Sequence, residues 1–253
     1  MPNTNATQDS MNNRTKYILL TLLVMFSLTS CRQKTINIPL DFIETTPPKN
    51  GSPDWYTLNY SNNEFRVTTN DGQIAINKVE KVRQKGDKCE LRLPNGTLVG
   101  IDRGEWGGAL TFSSTDTTMN PVEIKTGNIK FLFTFKDKIY FIEGLAHLSM
   151  SEGALFELDT VDESFTYKKL LDFEDAPEAF TIYGDKFLIA THENFYVVKD
   201  FKKELVFKGT FWSGLYPNSI AVIDDKNVFL GIRSGLVKLD LTTKTMKFYK
   251  YDK

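Results

Sequence analysis

The stretch from Ser219 to Tyr249, SIAVIDDKNVFLGIRSGLVKLDLTTKTMKFY, restricts the fold of this chain more than any other. It holds four short runs, Ser219–Ile223, Val228–Ile232, Leu236–Leu241 and Met246–Tyr249, each rich in β-branched and aromatic residues. Between them stand Asp224-Asp225-Lys226-Asn227, Ser234-Gly235 and Thr242-Thr243-Lys244, residues that tight turns accept. This pattern predicts a four-stranded antiparallel meander. A meander of that size cannot bury both of its faces alone, so it needs further copies beside it.

The copies are present upstream. Turn-like triplets recur at Ser61-Asn62-Asn63, Pro94-Asn95-Gly96, Lys136-Asp137-Lys138, Gly184-Asp185-Lys186 and Asp225-Lys226-Asn227, at spacings of 33 to 48 residues. Each is expected to join the first two strands of a unit, with second strands at Phe65–Thr68, Thr97–Ile101, Ile139–Glu143, Phe187–Thr191 and Val228–Ile232. Third strands are clearest at Ala154–Leu158, Phe195–Val198 and Leu236–Leu241. Units of about 40–45 residues with four strands and no convincing helix resemble β-propeller blades. The resemblance covers residues 54–253 and implies an all-β propeller of about five four-stranded blades, with four blades plus an irregular cap as the runner-up. In the first unit Ile74, Ile76, Val79 and Val82 also fit one face of a short helix. A β-sandwich competes as an architecture, but it has no reason to repeat a four-strand unit.

The amino-terminal residues predict a different role. Arg14 and Lys16 precede the uncharged run Tyr17–Ser30, which is too short for the ~20 residues of a spanning helix but suits a secretory signal. It ends in Leu28-Thr29-Ser30-Cys31, which resembles the lipobox of bacterial lipoproteins. The resemblance implies cleavage of a signal peptide spanning residues 1–30, lipidation of Cys31 and anchoring to a membrane by acyl chains. Arg32 follows the cysteine where an Asp would signal inner-membrane retention, and no acidic run of the surface-export kind follows. The expected location is therefore the outer membrane, facing the periplasm. Residues 31–53, with Pro47-Pro48, Gly51 and Pro53, read as a lipidated tether, in which Thr35–Leu40 is the one run able to add a strand to the domain.

Removal of residues 1–30 takes Arg14, Lys16 and Asp9 from the 31 basic and 32 acidic residues and leaves a net charge of −2. That balance gives no footprint for nucleic acid. With Cys31 lipidated, Cys89 is left without a disulfide partner, and its place in the strand-like KCELRL assigns it to the core. The mature domain is expected to be monomeric.

In a blade whose strands run outward from the axis, loops after second strands and connections before first strands share one face. Here that face collects Asp102–Gly108, Glu143–Gly153, His192-Glu193-Asn194, Arg233-Ser234-Gly235, Glu174–Glu178 and Phe211–Asn218. Rim loops on a rigid ring are where ligand sites are commonly placed. The candidate ligand-binding residues are accordingly Glu105, Trp106, His147, Glu152, Glu178, His192, Trp212, Tyr216, Asn218 and Arg233. Trp106 and Trp212 read first as partly buried loop anchors, because an exposed Trp is unusual unless a ligand covers it. His147 and His192 lack the spacing of metal ligands, so no metal or cofactor is expected. Glu152 and Glu193 are candidates for paired acid/base carboxylates, but no Gly-x-Ser-x-Gly motif or phosphate-cradling loop occurs. Asn95-Gly96-Thr97 reads as a turn rather than a glycosylation site. Two functional classes remain: an envelope module whose rim binds a glycan, a peptidoglycan fragment or a partner protein, and a hydrolase or lyase using His147, His192 and nearby carboxylates.

Overall fold

Alternating burial along short strands builds a succession of antiparallel sheets, which the computed structural model describes over residues 36–79, 87–161 and 164–253. The expected signal peptide, Cys31, the start of the tether and Val82 lie outside the described residues. The chain is all-β, with several four-stranded antiparallel sheets.

Strand β1 (Phe42–Thr45) comes first, followed by helix α1 (Pro53–Asn59) and a two-stranded sheet of β2 (Glu64–Asn70) and β3 (Gln73–Val79). Three four-stranded sheets come next, all antiparallel. The first contains β4 (Asp87–Leu93), β5 (Gly96–Asp102), β6 (Gly108–Ser114) and β7 (Val122–Thr126). The second contains β8 (Ile129–Phe135), β9 (Lys138–His147), β10 (Met150–Val161) and β11 (Ser164–Asp172). The third contains β12 (Pro177–Tyr183), β13 (Lys186–Thr191), β14 (Phe195–Lys199) and β15 (Lys202–Phe207). The last sheet pairs β16 (Ser219–Asp224), β17 (Asn227–Ile232), β18 (Gly235–Asp240) and β19 (Thr245–Tyr251), and β1 joins it beside β19. The forecast meander and the turns at Asn95, Asp137, Asp185 and Lys226 are therefore present.

Successive sheets bury their faces against one another. Leu98, Leu110 and Phe112 meet Phe141, Ala154 and Phe156 in one apolar layer. Tyr140, Ile142 and Leu155 meet Phe187, Ile189 and Val198 in the next. Leu188, Ala190 and Phe195 meet Val228, Leu230 and Val237 in a third, which Leu58 of α1 closes. The second strands β13 and β17 are buried on both faces because a sheet packs on either side of them. Strand β2 packs on β16 and β17 through Phe65 and Val67. Gly231 permits that approach, since a Cβ there would collide with the Phe65 carbonyl oxygen.

Several expectations need correction. The first unit does not turn at Ser61-Asn62-Asn63, because Pro53–Asn59 is helical: Ser52 caps it by accepting from the Trp55 N–H at 3.2 Å, and Pro53 and Asp54 occupy its first turn. Phe65–Thr68 consequently belongs to the first strand of a hairpin that turns at Asp71-Gly72, both at positive φ. Ile74, Ile76 and Val79 lie on β3 and not on a helix. The added amino-terminal strand is Phe42–Thr45, inside the expected tether, and residues 36–40 of the expected run form no strand. Phe42 selects this register by packing on Phe65 and Tyr251, with ring centroids 5.0 and 5.4 Å away, whereas Leu40 remains in a solvent-exposed turn. Most of Glu143–Gly153 is strand, with only Leu148-Ser149 between β9 and β10. Gly144 and Gly153 are small there because Pro177 packs against both; a Cβ at Gly144 would lie 2.8 Å from the proline ring.

Candidate functional site

Strand ends and connections from all five sheets border one cavity of about 1330 Å³. The β2–β3 hairpin supplies Glu64, Arg66, Asn77 and Val79, all on one face of the hairpin, since Glu64 pairs with Val79 and Arg66 with Asn77 while Phe65 and Val67 bury on the other. Asp102, Arg103 and Trp106 come from the end of β5 and the 3₁₀ turn Gly104–Trp106, Lys130 from β8, Glu178 from β12, and Tyr216, Asn218 and Arg233 from the segments before β16 and after β17.

Ion pairs tie these contributions together. Asp102, nearly buried, meets Lys130 at 2.6 Å and accepts from the Gly104 N–H at 2.8 Å. Arg233 donates to Glu64 at 2.9 Å and to the Asn59 carbonyl at 2.6 Å, and its guanidinium lies 4.3 Å from the centre of the Tyr216 ring. Asn128 braces the turn that bears Trp106 by donating to the Gly104 carbonyl and accepting from the Arg103 N–H. Lys130 and Glu178 occupy matching positions: each is the extra residue of a β-bulge near the start of its strand, a device that re-aims a side chain.

Asp102, His192 and Arg233, at or just after the ends of β5, β13 and β17, each have a charged partner. Trp106, Glu178, Tyr216, Asn218 and Arg233 come together around the cavity. Trp106 is 79% exposed and Tyr216 47%, so both present aromatic surface to solvent. Trp212 is different: it is fully buried, its indole N–H donates to the Thr191 carbonyl at 3.2 Å, and it is a core anchor with no ligand-facing surface. His147 pairs with Glu105 at 3.1 Å beside the Trp106 turn, and Glu152 is exposed on β10; none of these three lines the cavity. The two histidines have separate carboxylate partners.

His192 sits in a more ordered setting. Its Nδ1 lies 3.0 Å from Glu178 Oε1, and its Nε2 lies 3.2 Å from Ser213 Oγ. The hydrogen bond to Glu178 holds the imidazole above its usual pKa although burial opposes this. The other carboxylate oxygen, Glu178 Oε2, is buried without a hydrogen-bond partner. Behind the group Asp175, itself buried, accepts from Ser151 Oγ, the Glu193 N–H and Asn194 Nδ2 at 2.6 to 3.0 Å, and from Thr191 Oγ1. This knot fixes the approach to β12 against the loop after β13.

Sequence reasoning missed Glu64, Arg66 and Asn77: the misplaced first turn made Phe65–Thr68 a second strand, and Glu64 and Asn77 were assigned to none. It also passed over Ser213, which lies within a forecast rim connection but carries no nucleophile motif. Among the described residues no group of three His, Cys, Asp or Glu side chains is placed to hold a metal ion. No helix among them is long and apolar enough to cross a membrane.

No protein-family model matches the chain, and no curated protein matches it. Among solved structures it is similar to the N-terminal domain of Nup159, with 10% identity and a TM-score of 0.37 over 80% of this chain and 66% of that one, just under two thirds of its length. It is also similar to the computationally designed Ika8 protein, with 10% identity and a TM-score of 0.31 over 74% of this chain and 70% of that one.

Proposed function

We propose that this chain is a lipid-anchored envelope protein whose domain is a five-bladed propeller and whose cavity binds a carbohydrate ligand, such as a peptidoglycan fragment. The propeller reading is supported by the succession of sheets, in which β2 packs on β16, β16 on β12, β12 on β8 and β8 on β4. The first blade is the short β2–β3 hairpin, and β1 adds a fifth strand to the last.

One observation carries the ligand reading: Trp106 and Tyr216 stand exposed at a cavity whose lining also includes the Glu64–Arg233 and Asp102–Lys130 pairs and the amides of Asn77 and Asn218. Sugars offer apolar C–H faces to aromatic rings and hydroxyls to polar side chains, and this lining provides both kinds of partner. Arg66, Asn77 and Asn218 are the hydrogen-bonding groups, while the Glu64–Arg233 and Asp102–Lys130 pairs hold the walls. Lipidation of Cys31 would keep the module at the envelope surface, where such polymers are concentrated.

Calorimetric titration of the protein with soluble peptidoglycan fragments tests the ligand reading. Wild type should give saturable heat, and Trp106→Ala should lose at least about 2 kcal/mol of binding, the scale of a hot-spot aromatic. Equal binding by the two proteins contradicts it. Labelling of cells with a palmitate analogue tests the anchor, and equal labelling of wild type and Cys31→Ser contradicts lipidation there.

A further inference from the structure

We propose that Ser213, His192 and Glu178 form an acyl-transfer centre that hydrolyses short-chain carboxylic esters, an activity separate from ligand capture in the cavity. The inference does not rest on the carbohydrate reading.

The three side chains form a relay, with Ser213 Oγ 3.2 Å from His192 Nε2 and His192 Nδ1 3.0 Å from Glu178 Oε1. A carboxylate accepts only, so Nδ1 carries the hydrogen and the Nε2 lone pair faces the serine hydroxyl. That is the tautomer a general base needs. Each member sits on anchored backbone. Glu178 is the bulged residue of β12, whose preceding Pro177 packs against Gly144 and Gly153. The His192 N–H donates to the Ala176 carbonyl at 2.8 Å. Ser213 follows the buried Trp212 in a turn closed by the Leu215 N–H donating to the Trp212 carbonyl at 2.7 Å.

Two further observations fit chemistry better than scaffolding. Glu178 Oε2 is buried and unpartnered, which is costly for a purely structural carboxylate. It lies beside an imidazole that becomes cationic during acyl transfer. In addition, the N–H of Gly214 finds no acceptor among the described residues and adjoins Ser213, where a donor to the carbonyl oxygen of a bound ester is needed. The Trp55 indole stands over this turn, with a ring carbon 3.0 Å from where a Gly214 Cβ would lie, which confines the acyl group to a short one.

The step balances without any other reactant than water. Ser213 Oγ attacks the ester carbonyl and its proton passes to His192 Nε2; the carbonyl–alkoxy bond then breaks and the departing alcohol takes that proton. Water attacks the acyl-serine with the same base assistance, releasing the carboxylic acid and restoring the hydroxyl. Ser213 and His192 are the catalytic residues, and Glu178 is a positioning residue.

The test uses the purified full chain. Incubation with a fluorophosphonate followed by peptide mass spectrometry should find the adduct on Ser213, and this needs no variant to fold. Hydrolysis of p-nitrophenyl acetate should fall at least about 100-fold in Ser213→Ala. The wild-type rate should rise with pH through the titration of His192, and Glu178→Gln should move that limb to lower pH, a readout that a merely structural glutamate does not give. Wild type without label on Ser213, or Ser213→Ala hydrolysing as fast as wild type, overturns the proposal.

Discussion

Trp106 and Trp212 carry the same indole to opposite environments, and their substitution should separate cleanly. Trp212→Ala empties a fully buried site and should cost about 3–5 kcal/mol, read by urea denaturation. Trp106→Ala should stay within about 0.5 kcal/mol of wild type. Similar losses in the two variants contradict the assigned burial. The sequence could not tell these residues apart, since both sit in glycine-containing connections, and only the packing of Trp212 under Thr191 decides the matter. Cys89 was legible: its strand position predicted a packed thiol, and burial pushes its pKa up to about 11. It should therefore resist thiol reagents at about pH 8 in the folded protein and react once the protein is denatured. His192 gives a pH signature of its own. Because Glu178 raises its pKa on folding, the pairing contributes fully below the unfolded value of about 6.5 and fades as pH rises through the folded value. Melting temperatures of wild type and His192→Gln should thus differ more at about pH 5.5 than at about pH 8.5. The reverse trend contradicts the pair.

At the scale of elements, the hairpins whose turns read Pro-Asn-Gly, Lys-Asp-Lys, Gly-Asp-Lys and Asp-Lys-Asn were legible because turn chemistry is a local signal. The elements that were missed depend on packing or on overlooked caps. Ser52-Pro53-Asp54 is a helix start in its own right, but the expected periodicity of strands concealed it. Gly144 and Gly153 looked like loop residues, whereas they are strand residues kept small by Pro177. Strand β1 could not be placed from sequence, since its register comes from Phe42 meeting Phe65 and Tyr251 across the chain. Phe42 is only half-buried, so Phe42→Ala should cost about 2 kcal/mol and lower the melting temperature. An unchanged melting temperature would mean that β1 does not hold to β19 in solution.

At the scale of the molecule, a near-neutral chain gathers aromatic surface, amides and braced ion pairs from all five sheets around one cavity. Repetition in the sequence foreshadowed the succession of sheets, and five of the residues it singled out, Trp106, Glu178, Tyr216, Asn218 and Arg233, border this cavity. The remainder required the fold. Glu64 and Arg66 reach the cavity only because β2 packs against the far end of the chain, on β16 and β17. The central claim is that this cavity is the ligand site, and the most direct measurement is a crystal structure of the protein soaked with a soluble peptidoglycan fragment. The account predicts sugar rings against Trp106 and Tyr216, within hydrogen-bonding distance of Arg66, Asn77 or Asn218. A fragment seated elsewhere on the protein, with the cavity holding only solvent, would contradict it.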